Sequence, residues 1–310
     1  FYKVYYFDTL ALQNLNKTNS DLFNKVKKIK PDIIFFAISS YEINIETLVK
    51  IKKNFKCFMI NWSSDDEWRF YQHSKLLSPY FDCMITTSKK AKKHYDEAKK
   101  FSILSHWGCP DEWIGIPLIA KKCRYDVTFV GKSYFDRKSI IEYLISQNIK
   151  VTCFGYGWGT RILKDNEISK IFRNSKISLN FSTTRGSDKS LKARVFEVTG
   201  AGGFLMTEHS DNLENFFNRK QISIFKTKEE LSKKIKKILS NNKLRDEMVS
   251  ISSKVSKYYS YSNIIKKIFN EIEKKKSKRK NNLEIIDFKK LSSLELNILK
   301  TYKMMTITML

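Results

Sequence analysis

Three charged side chains followed by three glycines form the stretch of this 310-residue sequence with the clearest chemical potential. The charged residues are Lys192, Arg194 and Glu197, and the glycines are Gly200, Gly202 and Gly203. The two cations suit a phosphate group, which arginine binds with a bidentate fork. A carboxylate is unsuited to phosphate but accepts hydrogen bonds from sugar hydroxyls. Phosphate and sugar side by side indicate a nucleotide, and the glycines would let the next loop pass close to it.

A structural explanation of the same residues stays open. A helix N-terminus carries free N–H groups and partial positive charge, which favours phosphate binding. An ordinary capped helix with an Arg–Glu pair, followed by a tight glycine turn into the next strand, has the same residue types at the same spacing. The sequence pattern does not decide between the two.

The elements that position this stretch follow from the hydrophobic pattern. Short apolar runs typical of buried strands lie at 124–131, 149–155, 176–182, 203–208 and 222–226. Helical stretches lie between them at 137–148, 166–175 and 194–202, and another follows the last strand at 228–242. A polar loop containing Gly186 joins the strand at 176–182 to the helix that carries the charged residues. Such strands without alternation, separated by helices, predict a parallel sheet covered on both faces.

The first half of the chain shows the same alternation of apolar runs and helical stretches. Apolar runs lie at 31–39, 56–62, 80–88 and 101–108, with helical stretches at 46–55 and 89–98, and the N-terminal FYKVYYFD also looks like a strand. Residues 109–123 break the pattern and predict a linker. The sequence therefore predicts an α/β protein with two doubly wound, Rossmann-like domains facing across a cleft. We place them at residues 1–115 and 124–272, with a basic extension at 273–310.

Composition narrows the function classes. Hydrophobic residues make up 42% of the chain, which is enough for buried cores and excludes a disordered chain. The formal charge is +26, but lysine is spread along the whole chain, and a nucleic-acid footprint would cluster on one face. Positive charge is clustered only in KKKSKRK (274–280). This cluster is either a solvated linker or a peripheral contact with an anionic membrane. Because the chain begins at Phe1 inside a strand-like run, we expect that an initial segment is missing.

Cysteine usage and hydropathy indicate a reducing, cytoplasmic environment. The five cysteines are scattered, without metal-ligand spacing, and three of them lie in strand-like runs as small core residues: Cys57, Cys83 and Cys153. No run of 18 apolar residues is present, so no membrane-spanning segment is predicted.

The charged stretch resembles a known family. GSDKSLKARVFEVTGAGGFLMTEHSDNLENFF (186–217) is similar to the CgeB-like glycosyltransferases, which belong to the group 1 glycosyl transferases with the GT-B fold. Weaker similarity extends over RYDVTFVGKSYFDRKSIIEYL, VTCFGYGWG and NWSSDDEW, and covers about residues 1 to 272. The resemblance implies transfer of a sugar from a nucleotide sugar to a hydroxyl of a glycan, lipid or protein. It implies no metal, no cofactor and, for a hexosyltransferase of this type, retention of anomeric configuration.

The resemblance also implies roles for individual residues. Glu197 would contact the ribose, while Lys192, Arg194 and Arg137 would compensate the diphosphate charge and Gly131 would let it approach the backbone. Among the aromatic residues, Tyr156 and Trp158 would stack on the base, or simply pack beneath their loop. One departure concerns the position eight before Glu197, where many relatives carry a glutamate facing the transferred sugar and this chain has Lys189.

Candidates for the acceptor side come from strand ends in the first half. Asp65 and Asp66 follow the strand at 56–62, where a carboxylate could take the proton of an acceptor hydroxyl. The alternative is that they cap the helix beginning near Glu67. His106, after another strand, is the second candidate base. A protein of the same fold that binds the nucleotide sugar without catalysis is the competing functional hypothesis, and a nucleic-acid-binding protein is a weaker third.

Overall fold

The computed structural model describes residues 3–9, 14–38, 42–134, 136–183 and 189–276. These residues divide into two compact units, each with its own parallel sheet and hydrophobic core. Among the described residues, the first unit extends to His106 and takes in 268–276, and the second unit is Trp107–Lys267.

The first unit is built on four parallel strands. They are β1 (Ile33–Phe36), β2 (Phe58–Ser63), β3 (Cys83–Thr86) and β4 (Ser102–Leu104), in the spatial order β1-β2-β3-β4. The register aligns Ser63 with Thr86, so the carboxyl ends of β2 and β3 lie side by side. β2 and β3 are almost fully buried, as their continuous apolar runs predict. β1 is only partly buried because, among the described strands, it lies at the edge of the sheet.

Five helices belong to the same half of the chain. They are α1 (Leu15–Ile29), α2 (Ile45–Asn54), α3 (Asp66–Arg69), α4 (Lys75–Leu77) and α5 (Lys89–Glu97), with a π-helical turn over 70–74 between α3 and α4. The Asn14 side chain caps α1 by accepting from the amide of Lys17, and Leu22 and Val26, four apart, bury its apolar stripe. The sequence analysis did not predict α1. The strand expected at FYKVYYFD is absent from its described part, residues 3–8.

The second unit is built on five parallel strands. They are β5 (Tyr125–Val130), β6 (Val151–Phe154), β7 (Ser175–Asn180), β8 (Leu205–Glu208) and β9 (Ser223–Phe225), in the spatial order β6-β5-β7-β8-β9. Four of the five fall within predicted strands, and β7 begins one residue before its predicted strand, at Ser175. Every neighbouring pair is parallel, which requires a crossover connection after each strand.

Helices cover both faces of the second sheet. They are α6 (Arg137–Ser146), α7 (Asp165–Arg173), α8 (Ala193–Gly200), α9 (Lys228–Leu239) and α10 (Asn242–Ser256). The last helix, α11 (Tyr261–Lys276), begins in the second unit, and its residues from Ile268 belong to the first. α6 packs with α9, while α8 packs with both α7 and α10. Side-chain caps start α9 at Thr227 and α10 at Asn241. The structure therefore has the parallel α/β architecture that the sequence predicts.

The segment between His106 and β5 is tied to the second unit rather than forming a simple linker. The amide of Cys109 donates to the carbonyl of Tyr259, and the amide of Tyr261 donates to the carbonyl of Cys109. Further along, the Ala120 amide donates to the Asp246 carboxylate at 2.9 Å. Prolines and short 3-10 turns interrupt the segment, which explains why it lacks a strand or helix pattern.

All five cysteines are free thiols, with Cys83 and Cys109 buried. The part of the chain that the structure describes contains no helix with the length and apolarity needed to cross a membrane.

Candidate functional site

The second sheet reverses its order at β5. From β5 the chain moves to β6 on one side and then to β7 on the other. In parallel α/β sheets, ligands bind beyond the carboxyl ends of the two strands at which the order reverses. The loops after β5 and β7 therefore mark the expected site, and α8, with the charged residues 192–197, begins at the end of the second of these loops.

Protein contacts hold the peptide groups of Gly131 at the end of β5. Its amide donates to the Phe154 carbonyl at 2.9 Å, and its carbonyl accepts from the Trp158 indole nitrogen at 2.7 Å. Gly155 has a φ of +121°, and a side chain there would come within 2.6 Å of the same carbonyl oxygen. Close packing of two loops thus explains these two glycines. The predicted contact between Gly131 and a diphosphate stays a prediction.

Arg137, the first residue of α6, brings a poorly compensated cation to the site. Its Nη1 donates to the Lys132 carbonyl at 3.0 Å, while its Nε is buried without a hydrogen-bond partner among the described residues. Burial lowers the pKa of this guanidinium, and Arg194 lowers it further, against the opposing charges of Asp136 and Glu208. A desolvated guanidinium with an unused donor is suited to an anionic ligand.

Arg194 and Glu197 form an ion pair on α8. Arg194 Nη1 donates to Glu197 Oε2 at 2.7 Å, with 22% and 17% of the two side chains exposed, and the guanidinium lies over the ring of Phe172. Burial lowers the pKa of Arg194 and raises that of Glu197, and the opposite charge of each partner counteracts both shifts. Lys192 takes the N-cap position without a side-chain capping bond. The alternative explanation of this stretch was an ordinary capped helix with an Arg–Glu pair. The ion pair is present, but the side-chain cap is not.

Glu208 is a site residue that the sequence analysis missed. This carboxylate ends β8, where it accepts from the Ser182 amide at 2.8 Å and the Thr183 hydroxyl at 3.3 Å. It also forms an ion pair with Lys189, which donates a second hydrogen bond to Thr183 at 2.7 Å. The signal in the sequence was the acidic residue at the end of GFLMTE, because β8 neighbours β7 and their carboxyl ends meet.

The site carries an excess of positive charge. Its cations are Arg137, Lys189, Lys192 and Arg194, and its carboxylates are Glu197, Glu208 and Asp136, the last beside Arg137. Four cations and three carboxylates leave a net charge of +1 at the carboxyl ends of β5, β7 and β8. A nucleoside diphosphate ester carries about two negative charges, so this balance favours such a ligand.

Gly200 and Gly202, predicted to border a ligand, instead contact protein. A side chain on Gly200 would come within 2.5 Å of the Cys109 sulfur. Gly202 has a φ of +79°, and a side chain there would come within 3.0 Å of backbone atoms of Gly115 and Pro117. Both glycines are buried, so packing against protein accounts for them, and their donor-binding role stays a prediction. Their lack of side chains lets α8 and the turn after it pack against residues 109–117 of the same unit.

The two predicted stacking residues differ in their surroundings. Trp158 donates its indole N–H to Gly131 and packs edge-on against Phe129, with ring centroids 5.8 Å apart. The Trp158 ring therefore packs beneath its own loop, which was the alternative to stacking on the base. Tyr156 is 66% exposed on the same loop, which leaves its ring accessible to a nucleobase.

The acceptor-side candidates lie in three different environments. Asp65 is exposed and occupies the N-cap position of α3 without a capping hydrogen bond. Asp66 is 2% exposed and buried with the hydroxyl of Tyr95, which donates to its Oδ2 at 3.3 Å. His106 follows β4 and is partly exposed. Burial separates Asp66 from any acceptor at the surface, so of the two carboxylates only Asp65 is accessible as a base.

Asp66 gives a prediction for pH-dependent stability. Burial raises its pKa from 3.8 to about 6, against hydrogen bonds from Ser74, Thr86 and Tyr95. The folded state thus keeps a proton that the unfolded chain releases, and this contribution to stability is lost as pH rises from about 4 to about 6. In urea unfolding, the stability of Asp66→Asn relative to the unmutated protein should therefore increase by about 2 kcal/mol between pH 4 and pH 7. An equal difference at both pH values would contradict this. Asp65→Asn is the matched control and should show a much smaller change.

Some predicted features lie outside the described residues. Gly186 belongs to the undescribed part of the loop after β7, and most of the basic cluster at 274–280 and the rest of the C-terminal extension follow the last described residue. Within the described ranges, no group of three or more His, Cys, Asp or Glu side chains is arranged to hold a metal ion.

Comparison with known protein families finds a match to part of this chain. The family described as "Glycosyl transferase-like" matches residues 137–270, which contain most of the second unit and all of α6 to α10. No curated protein matches the chain in sequence.

Solved structures with the same fold are glycosyltransferases of the GT-B type. HepE from Anabaena, in complex with UDP-glucose, superposes with a TM-score of 0.61 at 10% identity, over 83% of this chain and 82% of HepE. Sucrose-phosphate synthase from Thermosynechococcus elongatus gives 0.60 at 9% identity, over 86% and 79% of the two chains. The pneumococcal O-GlcNAc transferase GtfA, in complex with UDP and GlcNAc, gives 0.57 at 9% identity, over 83% and 59%. These similarities establish the GT-B fold with two Rossmann-like domains.

Proposed function

We propose that this protein is a glycosyltransferase that moves a sugar from a nucleotide-sugar donor to a hydroxyl acceptor. The observation that carries the proposal is the cationic site at the reversal point between β5 and β7, with the Glu197 carboxylate beside it. The family match over residues 137–270 and the GT-B fold support the same conclusion. We further propose that the protein belongs to the CgeB-like branch, that it transfers a hexose, and that the anomeric configuration is retained.

The donor would be held by separate groups of the second unit. The diphosphate would lie against Arg137, whose buried Nε has no partner among the described residues. Glu197 would bind the ribose, because Arg194 engages its Oε2 and leaves Oε1 able to accept from a hydroxyl. The exposed ring of Tyr156 would stack on the base.

The chemical step would depend on stabilising the departing diphosphate. Negative charge builds up on this leaving group as the bond to the sugar breaks, and cations placed beforehand lower the barrier. Arg137, Lys192 and Lys189 are the cations at the carboxyl ends of β5 and β7. We propose that these side chains do this without a metal ion. In the first unit, Asp65 or His106 would take the proton of the acceptor hydroxyl.

The acceptor would be a glycan, a lipid or a protein. GtfA, whose structure contains UDP and GlcNAc, supports nucleotide-sugar chemistry in this fold without specifying the acceptor used here. The alternative is a binding protein of the same fold that no longer catalyses transfer, which Lys189 favours because it replaces a carboxylate found in many relatives.

A ligand screen separates the two functions. Thermal-shift measurements with UDP-, GDP- and ADP-sugars should show stabilisation by one nucleotide series, because binding to the folded state raises its stability. Donor hydrolysis or transfer is measured with the same compounds. Turnover supports the transferase, stabilisation without turnover supports the binding protein, and neither effect in any series would contradict both.

A double-mutant cycle tests the Arg194–Glu197 pair. Glu197→Gln leaves Arg194 as an uncompensated, largely buried cation, so it should lower the free energy of unfolding by about 2 kcal/mol. Combining it with Arg194→Met removes that cation and should restore most of the stability. If Glu197 binds the ribose, the donor KM stays raised by about tenfold or more in both variants. If the double mutant recovers both stability and KM, the pair serves the fold alone.

A further inference from the structure

A groove in the second unit lies away from the charged site described above. It has a volume of about 530 Å³ and lies between the segment 114–119 and one face of α10 with the turn that follows it. The helical side contributes a stripe spaced by three or four residues: Asp246, Ser250, Ser253, Lys254 and Lys257. The opposite side is mainly apolar, with Ile114, Ile116, Leu118 and Ile119 among its residues.

Ile116 is held in an exposed position by a rigid backbone. The Gly115 amide donates to the Gly200 carbonyl at 3.1 Å, and Pro117 packs against Gly202 on the other side. A side chain on Gly115 would come within 1.7 Å of the Arg173 guanidinium, so the backbone on this side is tightly covered. Ile116 nevertheless remains 86% exposed, and Ile119 remains 52% exposed. The fold thus presents two aliphatic side chains to solvent on an anchored segment.

The groove is cationic as well as apolar. Its one carboxylate, on Asp246, is engaged by the buried Arg245 guanidinium and by the Ala120 amide. Lys254 and Lys257 are exposed, and neither forms an ion pair within the described ranges. Two more exposed lysines, at 121 and 122, directly follow the apolar segment. Fixed aliphatic side chains within a border of solvated lysines match the chemistry of a bilayer surface that carries acidic lipids.

We propose that this groove docks the second unit on an anionic membrane surface, with Ile116 and Ile119 entering the interface and Lys254 and Lys257 facing the lipid phosphates. The contact is distinct from the one predicted for the basic C-terminal extension. It would also be separate from the sugar-transfer site, since none of its residues belongs to that site.

Vesicle sedimentation of the full chain tests the proposal. The protein should bind vesicles that contain phosphatidylserine and not vesicles of phosphatidylcholine alone, and high salt should release it. The Lys254→Glu/Lys257→Glu double variant should reduce the partition coefficient by more than about 25-fold, since each lysine near an anionic surface contributes about fivefold and each new carboxylate is repelled as well. Ile116→Asp should reduce it by about tenfold, through loss of aliphatic burial.

Matched controls separate this surface from the general positive charge of the chain. Lys233→Glu/Lys236→Glu makes the same charge change on α9, and Ile145→Asp removes another exposed isoleucine, on α6. Both controls should bind vesicles within about twofold of the unmutated protein, because they lie off the groove. Equal losses in the groove variants and the controls, or no loss in the groove variants, would overturn the proposal. Equal binding to both kinds of vesicle, or no binding to either, would overturn it as well.

Discussion

Arg137→Met is expected to weaken donor binding by about 10- to 150-fold, because a hydrogen bond to a charged group contributes about 1.5–3 kcal/mol. The same variant should keep or slightly increase its stability in the absence of ligand. Arg137 is desolvated and sits beside another cation, as its lowered pKa indicates, and no carboxylate hydrogen bond is described for it. Removing it therefore relieves an electrostatic cost without leaving a buried charge behind.

The combination of weaker binding and unchanged stability identifies a binding residue. Calorimetry with UDP and UDP-glucose measures the affinity, and thermal unfolding without ligand measures the stability. Arg161→Met is the control, because Arg161 forms an exposed ion pair with Glu167 in the same unit and should change neither quantity much. Unchanged affinity together with lower stability in Arg137→Met would show that this arginine serves the fold, and the proposed diphosphate position would be wrong.

Arg245→Met should lower the free energy of unfolding by about 3–5 kcal/mol, the largest stability effect that we expect. Arg245 is 1% exposed and donates to the carbonyls of Leu118, Ser175 and Lys176. It also contacts the Asp246 carboxylate at 3.0 Å. Without the guanidinium, these acceptors lose their donor in a dry environment, which costs more than the hydrogen bonds themselves are worth.

Arg245→Lys should recover little of this loss, because an ammonium group cannot reproduce the planar fork that reaches three carbonyls. Arg124→Met removes an exposed arginine close to the same segment and should change stability by less than about 0.5 kcal/mol. Urea unfolding compares the three variants. A loss below about 1 kcal/mol in Arg245→Met would mean that water replaces the guanidinium, contrary to its burial in the structure.

The alternation of strands and helices could be predicted because it depends on local pattern. Every strand of the second sheet coincides with a predicted apolar run to within one residue, since parallel strands covered on both faces need continuous hydrophobic residues. α1 was missed for the opposite reason. Its sequence is polar, and Asn19 is explained only by its hydrogen bonds to the backbone at Glu42 and Asn44, more than twenty residues away. The structural role of Arg245 could not be predicted either, because its three carbonyl partners are distant in sequence.

The charged motif on α8 also combines features that local sequence predicts with features that depend on distant contacts. The residue types at 192–197 indicated an anion and a hydroxylated ligand, and they lie next to the point where the strand order reverses. The packing of the following glycines could not be predicted, because Cys109, Gly115 and Pro117 are brought against Gly200 and Gly202 only by the tertiary structure.

The sequence by itself determined the succession of elements and the kinds of chemical group near the end of β7. These depend on periodicity and residue type, which are local properties. The tertiary structure decided which of those groups share a site. Lys189 and Glu208, nineteen residues apart, form an ion pair because β7 and β8 are neighbours, and Arg137 shares their environment because β5 lies beside β7. Strand order follows from packing of the whole chain, so no short segment contains that information.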